Sequence, residues 1–283
     1  MFGFLNVYKP QGKTSHDVVA ILRRITKVKQ IGHTGTLDPF AEGVLPICIG
    51  KATRLIEYLD DNKAYIGTVQ FGKSTTTFDI EGEGVNVSKK KITIEEIEEI
   101  LPRFRGEISQ LPPIYSAIKV KGKKLYEYAR KGEEVKIEPR VVNIYKLELL
   151  NFDEKLQSAE LYIECSKGTY IRSIANDLGE ALGCYGHLIK LVRSKAGMFE
   201  LENTVKLEDL ETIEQVEKKL IYPLEYLNYP KYELSADEKE DVSHGKSIKI
   251  SFHDGIVILV YDTKLLAVAN VENNIAKMLK VFI

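Results

Sequence analysis

No stretch of this chain approaches the ~18 uninterrupted apolar residues that a membrane span needs, and the start Met1-Phe2-Gly3-Phe4-Leu5 lacks the basic flank of a signal peptide. A cytoplasmic protein without membrane attachment is the expectation. Cysteine is scarce: Cys48, Cys165 and Cys184 form no C-x-x-C pair, so neither a disulfide framework nor a zinc site is predicted from them. The histidines His16, His33, His187, His244 and His253 are scattered, with no two at the spacing a helical metal site uses. No protein-bound metal is expected. An excess of either charge is also missing, since 40 Lys plus Arg against 41 Asp plus Glu leave a formal net charge of −1. A face for a polyanion must therefore be local. One candidate is 119–131, where Lys119, Lys121, Lys123, Lys124, Arg130 and Lys131 meet only Glu127 as counter-charge. Taken alone, that run reads as a solvated helix face.

What is present suffices for a sizeable core: 283 residues, 44% of them hydrophobic, allow one large domain or a large and a small one. A strand is predicted at 2–8, followed by a turn at Lys9-Pro10-Gln11-Gly12 and a helix capped by Ser15, with Val18, Val19, Leu22 and Ile25 at helical spacing. A loop rich in Gly and Thr covers 31–43, a strand 44–49, a helix 52–59 and an alternating strand 65–71. Thr93 with Glu96 makes a capping box for a helix to about Leu101, Leu111-Pro112-Pro113 breaks regular structure, and Gly132 stops a helix. Strands at 141–150 and 159–165 precede a helix at 170–182. Asn228-Tyr229-Pro230 reads as a hinge. Short strand patterns follow it at 247–252, 256–261, 265–271 and 275–282, around one helix. The expected fold class is α+β, with a mixed, mostly antiparallel sheet and helices in a body over 1–228, and a small β-rich unit over 229–283.

The segment 32–43 gathers glycines, hydroxyls, an imidazole and carboxylates more densely than a connector needs, and such loops present reactive groups on rigid scaffolds. Pro39 pushes Asp38 toward extended geometry and stiffens the loop there. An Asx-type turn is the plain alternative. Residues 43–51 briefly suggest a phosphate loop, but six residues rather than four separate the glycines and Ala52 follows the lysine, which excludes a Walker nucleotide site. A paired-carboxylate glycosidase is weakly supported, because nothing in the sequence pairs Asp60, Asp61, Asp79, Glu81 or Glu83 with Asp38. There is no G-x-S-x-G elbow.

The run G-H-T-G-T-L-D-P-F-A-E-G-V-L-P from Gly32 to Pro46 resembles the nucleophile motif of the TruB family of tRNA pseudouridine-55 synthases. Further blocks agree in the family's order: Lys9 to Ser15; Lys63-Ala64-Tyr65 with Phe71-Gly72 and Thr75 to Asp79; Gln110 to Lys119; Ser166 to Arg172; and His187-Leu188 with Leu191-Val192-Arg193. The tail from about 229 resembles, more faintly, a PUA-type RNA-binding domain. Glu42 departs from the family's usual small hydroxyl residue, and Val192 and Ser194 stand near where a second Arg and a Thr are usual.

This resemblance implies a pseudouridine synthase catalytic domain over 1–228, with a basic RNA-binding insertion at about 110–140, and a PUA-like domain over 229–283. It implies that a flipped-out uridine at position 55 of the tRNA T-loop is isomerised to pseudouridine without a cofactor. Asp38 would be the nucleophile, attacking either the uracil ring or the anomeric carbon. Arg172 would pair with it, and Tyr65 would stack on the base near the proton lost from C5. Leu191 would wall the pocket, His33 would fill the vacated stack, and Lys9 and Arg193 would add substrate contacts. The partner expected is tRNA, through its T-arm and T-loop, with a monomer acting without an obligate protein partner. An RNA chaperone that only binds tRNA is the competing class, and a synthase guided to another RNA by partner proteins is a third.

Overall fold

Strands that alternate apolar and polar residues, as at 63–71 and 158–165, join strands buried along most of their length, as at 42–49, in a ten-stranded mixed sheet. The computed structural model describes residues 1–133 and 135–282, apart from the side chain of Arg130. The Arg130 side chain of the basic run thus lies outside the described residues. The first twelve strands in chain order are β1 (Gly3–Lys9), β2 (Ile31–His33), β3 (Glu42–Ile49), β4 (Lys63–Phe71), β5 (Lys73–Thr75), β6 (Gly84–Val87), β7 (Gly106–Gln110), β8 (Lys119–Val120), β9 (Lys123–Lys124), β10 (Arg140–Asp153), β11 (Ser158–Cys165) and β12 (Gly186–Ala196). The large sheet runs β1-β3-β12-β4-β11-β10-β7, with β2 on β3 and the short strand Val205–Lys206 outside β1. Along that path β3 with β12 is the parallel pair and the others are antiparallel. This is the mixed, mostly antiparallel α+β body that the patterning predicts. The pairs β5–β6 and β8–β9 form separate two-stranded ribbons.

Helix α1 (Ser15–Thr26) buries Val18, Val19 and Leu22 against β1 and β3 residues Leu5, Leu45 and Ile47. Its cap is not Ser15 but Thr14, whose side chain accepts from the Asp17 amide while Asp17 answers to the Thr14 amide. Thr14→Ala is expected to cost about 1 kcal/mol, a fall in Tm of roughly 2–4 °C in a thermal scan. The Thr93–Glu96 box caps α2 (Ile94–Ile100) as the spacing predicts. Gly132 ends α3 (Leu125–Lys131) at φ 65°, in the left-handed region. The helix expected at 52–59 is a 3-10 helix, Gly50–Tyr58. Helix α4 (Ile171–Ala181) lies on β12, and a Cβ on Gly179 would stand 2.1 Å from the Gly186 nitrogen. The close helix-to-strand approach therefore requires glycine there.

Strand β12, in the middle of the sheet, has no counterpart in the sequence reading. Register shifts between Leu188 and Lys190, and between Arg193 and Lys195, interrupt its period of two. They turn Leu188 and Leu191, three apart, to the buried side, which imitates helical spacing.

Beyond Leu227, a five-stranded sheet runs Lys231–Glu233, Gly255–Tyr261, Lys264–Glu272, Ile275–Val281, Ile248–Lys249. The strand expected over 247–252 shortens to two residues, and Lys231–Glu233 is an addition. The run Ile256 to Val260 is apolar throughout because both faces are buried. Val257 and Leu259 enter the core under helix Ala236–Ser243, while Ile258 and Val260 pack with Phe4, Leu55 and Phe199 of the body. The small sheet thus shares a hydrophobic core with the large one. No helix among the described residues is long and apolar enough to cross a membrane.

Candidate active site

The loop between β2 and β3 is held almost residue by residue. The Thr34 amide donates to the Pro46 carbonyl (3.1 Å), the Gly35 amide to His33 Nδ1 (3.3 Å), and the Ala41 amide to the Asp38 carbonyl (3.1 Å). Ser15, which does not cap α1, accepts the Leu37 amide on its hydroxyl at 2.8 Å. The Gly12 amide and the Lys9 ammonium both donate to the Pro39 carbonyl. A strand-to-strand contact closes the far end: Gly43 sits at φ +105°, and a Cβ there would meet the Arg193 carbonyl at 2.4 Å. With its backbone fixed this way, the loop presents the Asp38 side chain, about a third exposed (35%), to a cavity.

Asp38 does not close an Asx turn. Its carboxylate meets Arg172 in the first turn of α4, with Nε 2.9 Å from Oδ2 and Nη2 donating to Oδ1 at 3.3 Å. Arg172 is 5% exposed, against the surface position usual for an arginine at a helix start. The rest of its guanidinium is enclosed. Nη1 donates to Asp79 Oδ2 and to the Thr77 carbonyl, both at 3.2 Å, and Nη2 to the Tyr115 carbonyl at 3.1 Å. Asp79 is the residue that sequence reasoning missed: read there as an unpaired loop carboxylate, it is 2% exposed and shares Arg172 with Asp38. Its oxygens also accept from the Thr77 hydroxyl and the Glu81 amide at 3.0 Å. The signal lay in the Thr75 to Asp79 block, whose hydroxyls fold the turn that delivers the carboxylate.

Burial pushes the Asp38 carboxyl above its ordinary range; Arg172 pulls it down and Asp79 adds to the upward push. A carboxylate so placed is desolvated yet beside a cation that favours its charged form, a combination suited to attack on an electrophile.

Tyr65 and Arg193 face each other across β4 and β12, in direct register. Tyr65 is 8% exposed and its hydroxyl lies against the Arg193 guanidinium. Burial raises the phenol and Arg193 opposes it. Arg193 itself donates through Nε to the Val44 carbonyl (2.6 Å) and through Nη2 to the Gly35 carbonyl (3.1 Å). It therefore braces the Asp38 loop and the tyrosine while also lining the cavity. Lys9, expected among the substrate contacts, is fully buried, with its ammonium on the carbonyls of Pro10, Lys13 and Pro39. It organises the loop from beneath; burial pushes it down to about 8, with the Asp38 charge opposing. His33 turns its ring back on the loop through Gly35, and burial and then Arg193 hold it below its usual range, so it is neutral at pH 7.

The cavity measures about 700 Å³. Asp38 and Arg172 stand at one wall, Tyr65, Tyr115, Tyr126 and Tyr170 supply aromatic surface, and Leu191 an apolar patch. Aromatic faces with a few convergent polar groups fit a flat heterocycle.

A model of the TruB family pseudouridylate synthase N-terminal domain matches residues 23–171, and a model of the tRNA pseudouridylate synthase B C-terminal domain matches 172–227. The chain is similar to proteins named tRNA pseudouridine synthase B. One, from Caldanaerobacter subterraneus, is 43% identical over 92% of this chain and 91% of its own length. Another, from Streptococcus pneumoniae, is 41% identical over the whole of both chains. Among solved structures, a chain in a Cbf5-Nop10-Gar1 complex is similar with a TM-score of 0.75 and 26% identity, across all of this chain and 85% of that one. A chain in an H/ACA RNP bound to a substrate RNA containing 2'-deoxyuridine has the same TM-score at 24% identity, a likeness of fold, again across all of this chain and 85% of that one.

Proposed function

The chain belongs to the TruB family, pseudouridine synthases that isomerise uridine in RNA, and from that premise we propose that it converts the uridine at position 55 of the tRNA T-loop, with Asp38 as nucleophile. The observation that carries this reading is the Asp38 carboxylate on Arg172, opening into a cavity of about 700 Å³ lined by aromatic side chains. The relatives' name supplies tRNA as the substrate class.

The reaction breaks the N1–C1' bond, turns the uracil and forms C5–C1'; a proton leaves C5 and one arrives at N1, so atoms and electrons balance without redox chemistry. Asp38 attacks the uracil ring or the anomeric carbon as the ionised form, which Arg172 maintains. Tyr65 stacks on the base, and its hydroxyl, braced by Arg193, stands beside the C5 proton. Leu191 closes the apolar side. Extruding the base costs a few kcal/mol of unstacking, which contacts between the RNA and the lysines at 119–131 offset. The sheet beyond residue 229 adds a second RNA-binding surface, and no protein partner is needed.

Incubating the purified protein alone with an unmodified tRNA transcript, then mapping pseudouridine, tests all of this at once. Pseudouridine at position 55 is the expected product. Folded protein that leaves this uridine unchanged would sink the proposal.

A further inference from the structure

Helix α4 begins without a side-chain cap: Tyr170, at its N-cap, makes no capping bond. Its backbone is gripped instead by Gln110, the last residue of β7 and the root of the basic insertion. The Tyr170 amide donates to Gln110 Oε1 at 2.8 Å, and Gln110 Nε2 donates to the Tyr170 carbonyl at 3.1 Å. Gln110 is 1% exposed, so both bonds form away from water. An amide that meets both polar groups of one residue fixes that residue in position and rotation, and Arg172 follows two residues later. The same stretch is tied down twice more. The Ser173 hydroxyl donates to the Leu111 carbonyl at 2.8 Å, and Arg172 Nη2 to the Tyr115 carbonyl at 3.1 Å. From there the Ser116 and Ile118 carbonyls take the Tyr126 and Leu125 amides, which reach α3 and the lysine ribbon of β8 and β9.

We propose that Gln110 is a positioning residue that couples the basic insertion to the catalytic charge pair, so that RNA seated on the insertion and the Asp38–Arg172 geometry are set together. The inference rests on the function proposed above. A clamp of this kind acts on the rate of the bound complex rather than on affinity, because the displaced group is Arg172 and not a phosphate contact. It also acts on ionisation. The groups facing Asp38 are Arg172 from α4, Asp79 and Glu81 from the turn after β5, Lys9 from β1, Tyr65 from β4 and Tyr170 before α4. Of these, Arg172 is the one Gln110 positions, and a looser Arg172 stabilises the ionised carboxylate less.

The test uses full-length protein and an unmodified tRNA transcript, with single-turnover rate, tRNA affinity, pH profile and thermal unfolding measured for each variant. Gln110→Met keeps the length of the side chain, leaves the Tyr170 amide unpartnered and leaves the Tyr170 carbonyl with the Ile174 amide alone. The expected result is a rate loss of roughly tenfold or more with affinity within about threefold of the parent. The acid limb of the profile should also move to higher pH, a change that a generally weakened fold would not produce. Ser173→Ala, a milder cut in the same clamp, should give a smaller loss and shift in the same directions. A folded Gln110→Met protein with parental rate and an unmoved acid limb overturns the proposal. If Gln110→Met does not fold, parental rate and profile in Ser173→Ala overturn it. A parent protein that forms no pseudouridine removes the function reading itself, whereas an active parent with indifferent variants removes only the clamp.

Discussion

Asp38→Asn is expected to abolish pseudouridine formation while tRNA still binds and the protein remains at least as stable. Loss of a nucleophile that acts in concert with its partners costs on the order of 10⁴-fold or more in turnover. Asparagine keeps the shape and can still accept a hydrogen bond from Arg172, so the guanidinium loses little. The stability sign follows from the raised carboxyl. A group whose folded pKa lies above its ordinary value adds stability below that ordinary value and loses it as pH rises through the folded one. At pH 7 Asp38 therefore burdens the fold, and a neutral isostere removes the burden. Melting scans should place the variant at or above the parent at pH 7, with the gap closing toward pH 4. Turnover above background would take Asp38 out of the nucleophile role, and a lower melting point at pH 7 would contradict the electrostatic account.

Arg172→Met should damage both activity and fold. It leaves Asp38 and the almost fully buried Asp79 facing each other with no cation between them. Removing one partner from a buried ionic cluster costs roughly 3–5 kcal/mol, because the remaining charge is stranded. In a chain of this size that is a fall of roughly 10 °C in Tm at neutral pH. The loss should shrink as pH falls and the carboxylates take up protons. The double change Arg172→Met with Asp79→Asn separates the two roles: stability should return in large part while turnover does not. A single variant with parental stability at pH 7 would show that the carboxylates find other partners, and restored turnover in the double would deny Arg172 a part in the chemistry.

Local chemistry made part of this legible. The Thr93–Glu96 box, the left-handed stop at Gly132 and the alternation of β4 and β11 are short-range patterns, and the structure follows them to within a residue or two. Ser15 shows the limit at the shortest range. Two adjacent hydroxyls could each cap α1; the structure uses Thr14 there and turns Ser15 to Leu37 in the reactive loop, a partner 22 residues away.

The sequence by itself determined the fold class, the family and the loop that carries Asp38, because hydrophobic periodicity and motif order are properties of the chain alone. Only the tertiary structure decided that Asp79 joins Asp38 on one arginine, that Lys9 and Arg193 brace the loop from within, and that Gln110 grips the start of α4. The same holds for β12, whose bulges disguise its period. For the four side chains the physical reason is common. A carboxylate, an ammonium or an amide reads as polar wherever it stands, and its role depends on which distant backbone or charge the fold brings within about 3 Å of it. For Asp38 the fold decided between a plain Asx turn and the pairing with Arg172 that the family resemblance implies, in favour of a partner 134 residues further along the chain.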